Sequence, residues 1–308
     1  MAVPEDFLEL AASVNNWGRW GPDDERGTLN LITPDVVARA AACVRDGRAF
    51  GLALPLGPDG PQVGGIPGRI NPERTMIAVR ELLGENPDGP VISDDVVSMA
   101  LQAATHWDAL THVTWRERMY NGFPIDSIDE RGAARCGIDK VGTVLGRGVL
   151  LDVARLHSVD RLEPGFAITP DLLDAAEERA GVRVEPGDIV LVRTGHLQVF
   201  LEGRRADYPV PCPGASYLAA RWFRERDVAA VASDTFTFEV YPYEREDLRL
   251  PLHLLHLVEM GLLQGENWYL EDLAADCAAD GRNAFLLSAT PEPFTGALGG
   301  PVAPVAVK

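Results

Sequence analysis

The pattern of apolar and polar positions predicts a protein of mixed helices and strands. Two segments, 33–47 and 169–181, begin with Thr-Pro, a capping side chain followed by proline at the first helical position. The second segment ends at a glycine, as many helices do. Short apolar runs predict strands at 149–153, 182–184, 189–192 and 228–232. Helices and strands therefore alternate, which indicates an α/β fold.

The stretch 57–90 interrupts this pattern because it is the part of the chain richest in proline and glycine. It predicts a long, partly irregular excursion at the rim of an active site or at a subunit contact. The alternation elsewhere also fits a doubly wound sheet. However, the glycine-rich segment 142–148 lacks the spacing of a dinucleotide-binding loop, so we interpret it as a turn before a strand.

The densest candidate chemistry lies in residues 102–112, which read QAATHWDALTH. If this segment is extended, His106 and Asp108 share one face and Trp107 points the opposite way. An imidazole and a carboxylate are ligands expected for Zn(II), Mn(II) or Fe(II). His112 follows four residues later, far enough to lie across a bound water, and we predict that it is a general base. Both histidines could instead be ordinary hydrogen-bonded residues near a core.

A second histidine-rich segment, residues 250–274, offers further ligands. Its spacing predicts a helix that ends at Gly261 and carries His253 and His256 on one face. Glu266 follows after this glycine, so a histidine and this glutamate could reach the ion held by the first segment. An amphipathic helix with a polar stripe is the alternative interpretation.

With both segments in view, the chain resembles the metal-dependent cyclase family that includes bacterial kynurenine formamidase and isatin hydrolase. The family signature is H-x-G-T-H-x-D-x-x-x-H, and it is matched here at Thr105, His106, Asp108 and His112. Further segments resemble the longer branch of this family, at 17–30, 120–122, 147–152, 193–195 and 299–301. The last reads Gly-Gly-Pro where the family usually has Gly-Ser-Pro.

The resemblance implies a metal shell and also shows where this chain departs from it. Gln102 stands in the position of the first histidine ligand, and Ala104 replaces the glycine. An amide oxygen is a poorer donor for Zn(II) than an imidazole but is acceptable to a harder ion such as Mn(II). We expect one divalent ion or two, with ligands drawn from His106, Asp108, His253, Glu266 and Gln102. His256 is the substitute if His253 does not bind.

The resemblance also implies the architecture. It predicts an α/β fold of the swivelling-domain cyclase type, a layered β/β/α sandwich that forms one domain over 1–308. An N-terminal extension of about 1–90 is expected at a subunit interface or at the rim of the active site. Members of the family assemble as homodimers or homotetramers, so we expect a homo-oligomer.

Composition restricts the partners. The chain has 308 residues, 46% of them hydrophobic, which is enough for a sizeable core. Its net charge of −18 disfavours nucleic acid and anionic membranes, which leaves a small-molecule substrate. No apolar run approaches the ~20 residues of a membrane span, and no signal peptide is evident, so we expect a cytoplasmic protein. The four cysteines form no CxxC pair, which disfavours a zinc ribbon or a redox motif.

These features predict a metal-dependent hydrolase that opens an amide, formamide or lactone bond in a small cyclic or aromatic substrate. Trp17, Trp107 and Tyr120 are candidate walls for a planar substrate, although each could equally pack in the core. Asp234 is expected to orient a ligand histidine or to cap a turn. A lyase or cyclase that acts without net hydrolysis, and a non-catalytic metal-binding relative, are the alternatives.

Overall fold

The computed structural model describes residues 3–308, which form eight α-helices, one π-helix and fifteen strands. The α-helices are α1 (Glu5–Val14), α2 (Pro34–Ala41), α3 (Val153–Leu156), α4 (Pro170–Ala180), α5 (Leu197–Leu201), α6 (Ala219–Glu225), α7 (Pro251–His253) and α8 (Glu271–Asp280). The π-helix, Leu254–Met260, continues directly from α7. Short 3₁₀ turns lie at Gly27–Leu31, Tyr120–Gly122, Ile125–Ser127, Ile138–Lys140 and Arg205–Asp207. No helix within residues 3–308 is both long and apolar enough to cross a membrane.

Nine of the strands form one mixed sheet in the order β1-β15-β13-β7-β9-β11-β12-β4-β14. Its centre, from β7 to β12, is parallel, whereas the pairs on both sides of this centre are antiparallel. The fifteen strands are β1 (Ala49–Gly51), β2 (Glu73–Leu82), β3 (Val91–Ser98), β4 (His106–Asp108), β5 (Ile128–Asp129), β6 (Gly132–Ala133), β7 (Leu145–Asp152), β8 (Ala167–Ile168), β9 (Ile189–Arg193), β10 (Gly214–Ala215), β11 (Ala230–Ser233), β12 (Leu263–Glu266), β13 (Ala284–Ser288), β14 (Gly299–Pro301) and β15 (Val305–Val307).

Local signals explain where two of the helices begin and end. The Thr33 hydroxyl accepts a hydrogen bond from the backbone N–H of Val36, which caps α2. This helix is shorter than the spacing predicts, because it ends at Ala41 and Gly47 lies outside it. The predicted end of α4 is confirmed, since Gly181 has a φ of 62°, a left-handed conformation that glycine adopts without strain.

The central sheet separates two apolar cores. On one face, alternate residues of β7 and β9 such as Val149 and Val190 pack against helices α1, α4 and α6. On the other face, Leu150 and Leu191 pack with α8 and with residues of β4, β13 and β15, since the sheet curls. Each central strand is therefore buried on both sides, which is why it reads as a continuous apolar run. The predicted layered α/β architecture is confirmed.

Two parts of the chain differ from the sequence-based expectation. The irregular excursion predicted at 57–90 contains strand β2, which pairs with β3 in a two-stranded antiparallel ribbon. The predicted strand at 182–184 is wrong, because this segment pairs with no neighbouring strand. Its Val184 N–H instead donates to the Glu177 carboxylate at 2.6 Å, so a side chain takes the place of a strand partner.

Candidate metal centre

The register between β4 and β12 places four polar side chains on one face of the sheet. His106 lies opposite Glu266, and Asp108 lies opposite Gln264. Side chains that are paired across antiparallel strands share a face, as do residues two apart on one strand. The residue between His106 and Asp108 therefore points to the opposite face, as the extended reading of this segment predicts.

Three of these side chains converge on one point. The His106 Nε2 atom lies 3.3 Å from Asp108 Oδ1 and 3.7 Å from Glu266 Oε2. Each of the three residues offers one ligand atom within 4.8 Å of the others, and all three are buried. Imidazole and carboxylate groups packed this closely are a common setting for a divalent cation.

His253 approaches the same carboxylates from the helical side. Its Nε2 atom lies 3.2 Å from Glu266 Oε1 and 3.7 Å from Asp108 Oδ2. The two oxygens of Asp108 thus face different imidazoles, Oδ1 towards His106 and Oδ2 towards His253. His256 points instead into the apolar core, where its ring meets the edges of Phe223 and Phe238. Of the two histidines in this segment, His253 therefore lies at the cluster.

Glu239 holds His253 in place, and sequence reasoning missed it. Its Oε1 atom forms a short hydrogen bond with His253 Nδ1, and its Oε2 accepts from the Leu252 N–H at 2.9 Å. A carboxylate that is hydrogen-bonded to Nδ1 holds the imidazole proton on that nitrogen. Nε2 is then the atom that can bind a metal. Glu239 lies 14 residues before His253 in a segment with no regular pattern, so no local signal marks it.

Gln264 was also missed, although the strand period could have revealed it, since it lies two residues before Glu266 on β12. Its Nε2 atom lies 2.9 Å from His253 Nε2 and donates to Glu266 Oε1 at 3.2 Å. Its Oε1 lies 3.0 Å from His256 Nδ1. The amide therefore links the histidine at the cluster to the histidine in the core.

Asn267 and Thr105 tie the two strands together at the centre. The Thr105 hydroxyl donates to the Asn267 carbonyl at 2.6 Å and accepts from the Leu54 N–H at 2.9 Å. Asn267 has a φ of 59°, and its side-chain amide donates to the Ala104 carbonyl at 3.3 Å. These bonds join the residue before His106 to the residue after Glu266, which holds both ligands in register.

The chain after β4 turns sharply and brings His112 back to the centre. The His112 N–H donates to the Ala109 carbonyl at 2.8 Å, and its Nε2 lies 3.7 Å from Asp108 Oδ1. The imidazole side chain is 23% exposed, whereas His106 and Asp108 are 1% exposed. His112 is thus placed between the buried cluster and the outside of the protein.

The electrostatics of the cluster favour a cation. Burial alone would lower the pKa of His106, but the neighbouring carboxylate of Asp108 raises it above its ordinary value. Burial likewise opposes the charge on His253, yet the Glu239 carboxylate raises its pKa well above the usual range. Burial also disfavours ionised Asp108, but the surrounding imidazoles, His112 first, hold its pKa below its usual value. The carboxylates therefore stabilise positive charge on the imidazoles beside them.

Unpartnered atoms at the centre fit a metal ion. His106 Nε2 and both oxygens of Asp108 are buried without a hydrogen-bond partner. A buried polar atom without a hydrogen-bond partner lowers the stability of the folded protein by about 1–3 kcal/mol. A bound ligand that pairs with such atoms would remove this loss. His106 Nδ1 bonds to the Ala104 carbonyl at 2.8 Å, which leaves its Nε2 free to bind a metal.

Gln102 lies beside the cluster but forms no hydrogen bond to it among the described residues. Its amide packs against Gly299, where an added Cβ atom would lie only 2.5 Å from Gln102 Nε2. Gly299 is paired with Asp108 across strands β14 and β4. The amide therefore lies next to the strand that carries the ligands, and its coordination of a metal stays a prediction.

The three aromatic residues predicted to line a substrate site differ in their exposure. Trp107 is fully buried on the opposite face, where it contacts Trp268 edge-on and donates to the Ala289 carbonyl at 2.7 Å. Tyr120 is also fully buried, and its hydroxyl donates to Asp24. Trp17 is partly exposed and donates to the Val258 carbonyl at the far end of the π-helix. Trp107 and Tyr120 thus have no exposed surface for a substrate and pack in the core, the alternative that the sequence left open, whereas the role of Trp17 stays a prediction.

Among the described residues Asp234 contacts no ligand histidine, which leaves the capping role that was its alternative. Its carboxylate accepts hydrogen bonds from the N–H and hydroxyl of Thr194 and from the Gly195 N–H, at 2.7–2.8 Å. These bonds tie the ends of β9 and β11 together. Burial raises the pKa of Asp234 to about 6.

The chain matches a known protein family and solved structures of that family. Residues 30–240 match the family Cyclase, described as "Putative cyclase". A solved structure described as a novel cyclase is 37% identical, with 97% of this chain and 99% of that chain covered and a TM-score of 0.87. No curated protein sequence matches the chain.

Two isatin hydrolases share the fold at lower identity. Isatin hydrolase A from Labrenzia aggregata is 21% identical with a TM-score of 0.62, over 87% of this chain and 94% of that one. Isatin hydrolase A from Ralstonia solanacearum is 20% identical with a TM-score of 0.64, over 89% and 97%. The family match covers most of the chain and agrees with the signature residues on β4. The chain belongs to the cyclase family.

Proposed function

We propose that the protein is a metal-dependent hydrolase that opens an amide, formamide or lactone bond in a small cyclic or aromatic compound. The observation that carries this proposal is the set of buried, unpartnered atoms on His106 and Asp108 beside Glu266 and His253. Two proteins with the same fold are named isatin hydrolases, and isatin is a cyclic aromatic amide. This supports the proposed substrate class.

His106, Asp108, Glu266 and His253 would hold a divalent ion, with Zn(II) or Mn(II) the candidates that suit mixed imidazole and carboxylate ligands. When bound, such an ion acidifies a water molecule and polarises a substrate carbonyl. Glu239 and the Ala104 carbonyl bond to the Nδ1 atoms of His253 and His106, so the Nε2 atoms would be the ones to bind the ion.

His112 is the proposed general base. Burial lowers the pKa of its imidazole below the ordinary value, so it is neutral at neutral pH and able to accept a proton. In the proposed reaction it takes a proton from the attacking water and returns it to the leaving nitrogen or oxygen. Its position between the buried ligands and the outside allows it to contact a substrate and the water together.

The first test is elemental analysis of protein purified without a metal-affinity tag. We expect a transition metal to copurify in a ratio of at least one ion per chain. Absence of a copurified metal, combined with no stabilisation or activation by added Zn(II) or Mn(II), would contradict the proposal. A His106→Ala variant serves as the control, since it removes one ligand.

The second test uses a panel of aromatic formamides, cyclic amides and lactones in ¹⁸O-labelled water. A hydrolase incorporates one labelled oxygen into the ring-opened or deformylated product. A product formed without the label would instead assign the site to a lyase or cyclase reaction that uses the same metal and His112.

A further inference from the structure

A second cavity, of about 460 Å³, lies outside the candidate metal centre. It is lined by residues within 161–164 and 196–211, none of which belongs to the metal cluster. Its walls are mixed, since Leu162, Val199 and Pro211 are apolar whereas Arg161 and Arg204 are charged. Its volume lies in the range of small-molecule sites. A cavity of this composition suits a small ligand that has both an apolar body and a charged group.

His196 lies in the wall of this cavity and has one ring nitrogen that is not used. The residue is 1% exposed, and its Nδ1 atom is buried without a hydrogen-bond partner among residues 3–308. Its Nε2 atom lies 2.8 Å from the Tyr208 carbonyl oxygen. Because a carbonyl oxygen can only accept, Nε2 carries the ring proton and Nδ1 carries a lone pair. A ligand that pairs with Nδ1 must therefore offer an N–H or O–H donor.

Tyr208 fixes this imidazole against the rigid part of the fold. The two rings are stacked, with centroids 5.5 Å apart. The Tyr208 hydroxyl donates to Asn267 Oδ1 at 2.9 Å, and Asn267 directly follows the metal-centre residue Glu266. A group that is already held in place loses little conformational entropy when a ligand binds to it. The acceptor on His196 is therefore preorganised.

The charges that act on His196 favour a negatively charged ligand. Burial lowers the pKa of His196, and the guanidinium groups of Arg161 and Arg204 lower it further. Glu163 and Asp207 also line the cavity, but they are not among the groups that shift this pKa. The imidazole is thus neutral at neutral pH, and both charged groups that act on it are cations. An anion beside it would be stabilised by these two cations.

Both arginines keep hydrogen-bond donors for a ligand. Arg161 donates to Glu202 from Nη1 alone, at 2.7 Å, and Arg204 pairs with Asp207 through Nε and Nη2 at 3.0 and 2.9 Å. A guanidinium has five N–H donors, so each side chain has further donors without a hydrogen-bond partner in the described part of the chain. The two ion pairs are exposed and contribute little stability, so a ligand carboxylate can join or replace them.

We propose that this cavity binds a small aromatic carboxylate that carries an amine or hydroxyl group next to the carboxylate. The carboxylate pairs with Arg161 and Arg204, the amine or hydroxyl donates to His196 Nδ1, and the ring packs on Leu162 and Val199.

Ring opening by the proposed reaction produces this chemistry. Addition of one water molecule across the C–N bond of a cyclic amide breaks that bond and leaves a carboxylate and an amine on the same molecule. A lactone leaves a carboxylate and a hydroxyl group in the same way. The identification of the ligand as the product of this protein rests on the proposed function, and it makes the cavity a second product site outside the metal centre.

Calorimetric titration of the metal-loaded protein with ortho-aminobenzoate tests the proposal. We expect Arg161→Gln/Arg204→Gln to weaken binding at the cavity at least ~10-fold, because charge-assisted hydrogen bonds to the carboxylate are lost. Arg131→Gln is the matched control, since Arg131 also pairs with a carboxylate at the surface, that of Asp129, but does not line the cavity. It should bind the probe like the wild type.

Two simpler probes and one further variant separate this cavity from the metal centre. Benzoate lacks the donor and aniline lacks the carboxylate, so each should bind ~10-fold more weakly than ortho-aminobenzoate. His106→Ala, which removes a metal ligand, should still bind ortho-aminobenzoate because the cavity needs no metal.

A crystal soaked with an iodinated ortho-aminobenzoate locates the site through the anomalous scattering of iodine. We expect a peak in the cavity, with the amine ~2.7–3.2 Å from His196 Nδ1. A peak at the metal centre alone, or equal affinity of the double arginine variant and Arg131→Gln, would overturn the proposal. Neither measurement needs turnover, so its outcome is independent of the ¹⁸O experiment that tests the proposed function.

Discussion

His106 and Glu266 lie directly opposite each other on the antiparallel strands β4 and β12, with Nε2 and Oε2 3.7 Å apart. A slip of one residue in this pairing would turn one of the two side chains to the opposite face of the sheet. The Thr105–Asn267 hydrogen bond, made by the neighbouring residues, opposes such a slip. Strand register is therefore what assembles the candidate centre.

We predict that His106 and His112 have separable roles. His106→Ala removes a ligand atom and should abolish stoichiometric metal binding. His112→Ala should keep the metal and lower kcat by ~10²–10⁴-fold, the usual contribution of general acid–base catalysis. Metal content by elemental analysis and turnover on an identified substrate check both effects. Equal metal loss in the two variants would refute this division of roles.

The Glu239–His253 hydrogen bond should tune metal affinity. Glu239→Gln removes the charge that holds the Nδ1 proton of His253, and loss of such a partner typically weakens metal binding ~10–100-fold. Competition with a chelator measures this change without any substrate.

Glu244→Gln is the matched control for this variant. Glu244 also accepts hydrogen bonds from a buried segment, at Ser216 and Tyr217, but it has no contact with a histidine at the centre. An equal loss of affinity in both variants would show that Glu239 acts only through general stability.

Gly265 should be intolerant of a side chain. It separates Gln264 from Glu266, and a Cβ atom there would lie 2.6 Å from Trp268 Nε1 and 2.9 Å from both Ala232 and Trp107. We expect Gly265→Ala to lower the free energy of unfolding by about 1–3 kcal/mol through overpacking. Urea denaturation at a fixed protein concentration measures this loss. Gly51→Ala, also in a strand but facing open space, should change it by less than ~0.5 kcal/mol, and a similar loss there would contradict the packing argument.

Asp188 should make stability fall as pH rises. Burial raises its pKa to about 6 from an ordinary value of 3.8. Between these two values the folded chain binds more protons than the unfolded chain, so the free energy of unfolding decreases as pH increases through this window. Asp188→Asn cannot ionise and lacks this contribution.

The wild type should therefore lose about 2–3 kcal/mol of stability relative to Asp188→Asn between pH ~4 and pH ~6.5, since one unit of pKa corresponds to ~1.4 kcal/mol. Denaturation of both proteins across this range measures the difference, in which the contributions of all other groups cancel. A difference that is constant with pH would show that the pKa of Asp188 is not raised in the folded state.

Several features of this protein follow from local sequence alone. The apolar runs at 189–192 and 228–232 predicted β9 and β11, because a strand covered on both faces has to be apolar at every position. Gly181 and Gly261 marked helix ends because a left-handed residue is needed there. The spacing of His106 and Asp108 placed both on one face because the strand period is two.

Only the tertiary structure decided how distant segments meet. Glu239 reaches His253 through a contact that leaves no local trace in the chain. The strand period places Gln264 on the same face as Glu266, but only the fold shows that it bridges His253 and His256. The sequence left two roles open for Trp107 and for Asp234, because their partners, Trp268 and Thr194, are set by sheet order rather than by neighbours in sequence.

The β2–β3 ribbon is the clearest difference between local and tertiary information. Proline and glycine in 57–90 indicated an irregular path, yet a β2–β3 ribbon forms because pairing with a second strand outweighs local composition. The sequence by itself determined the ligand types and the family, since these depend on which residues are present and how they are spaced. The completed centre and the β2–β3 ribbon depend on long-range register and packing, which only the folded chain defines.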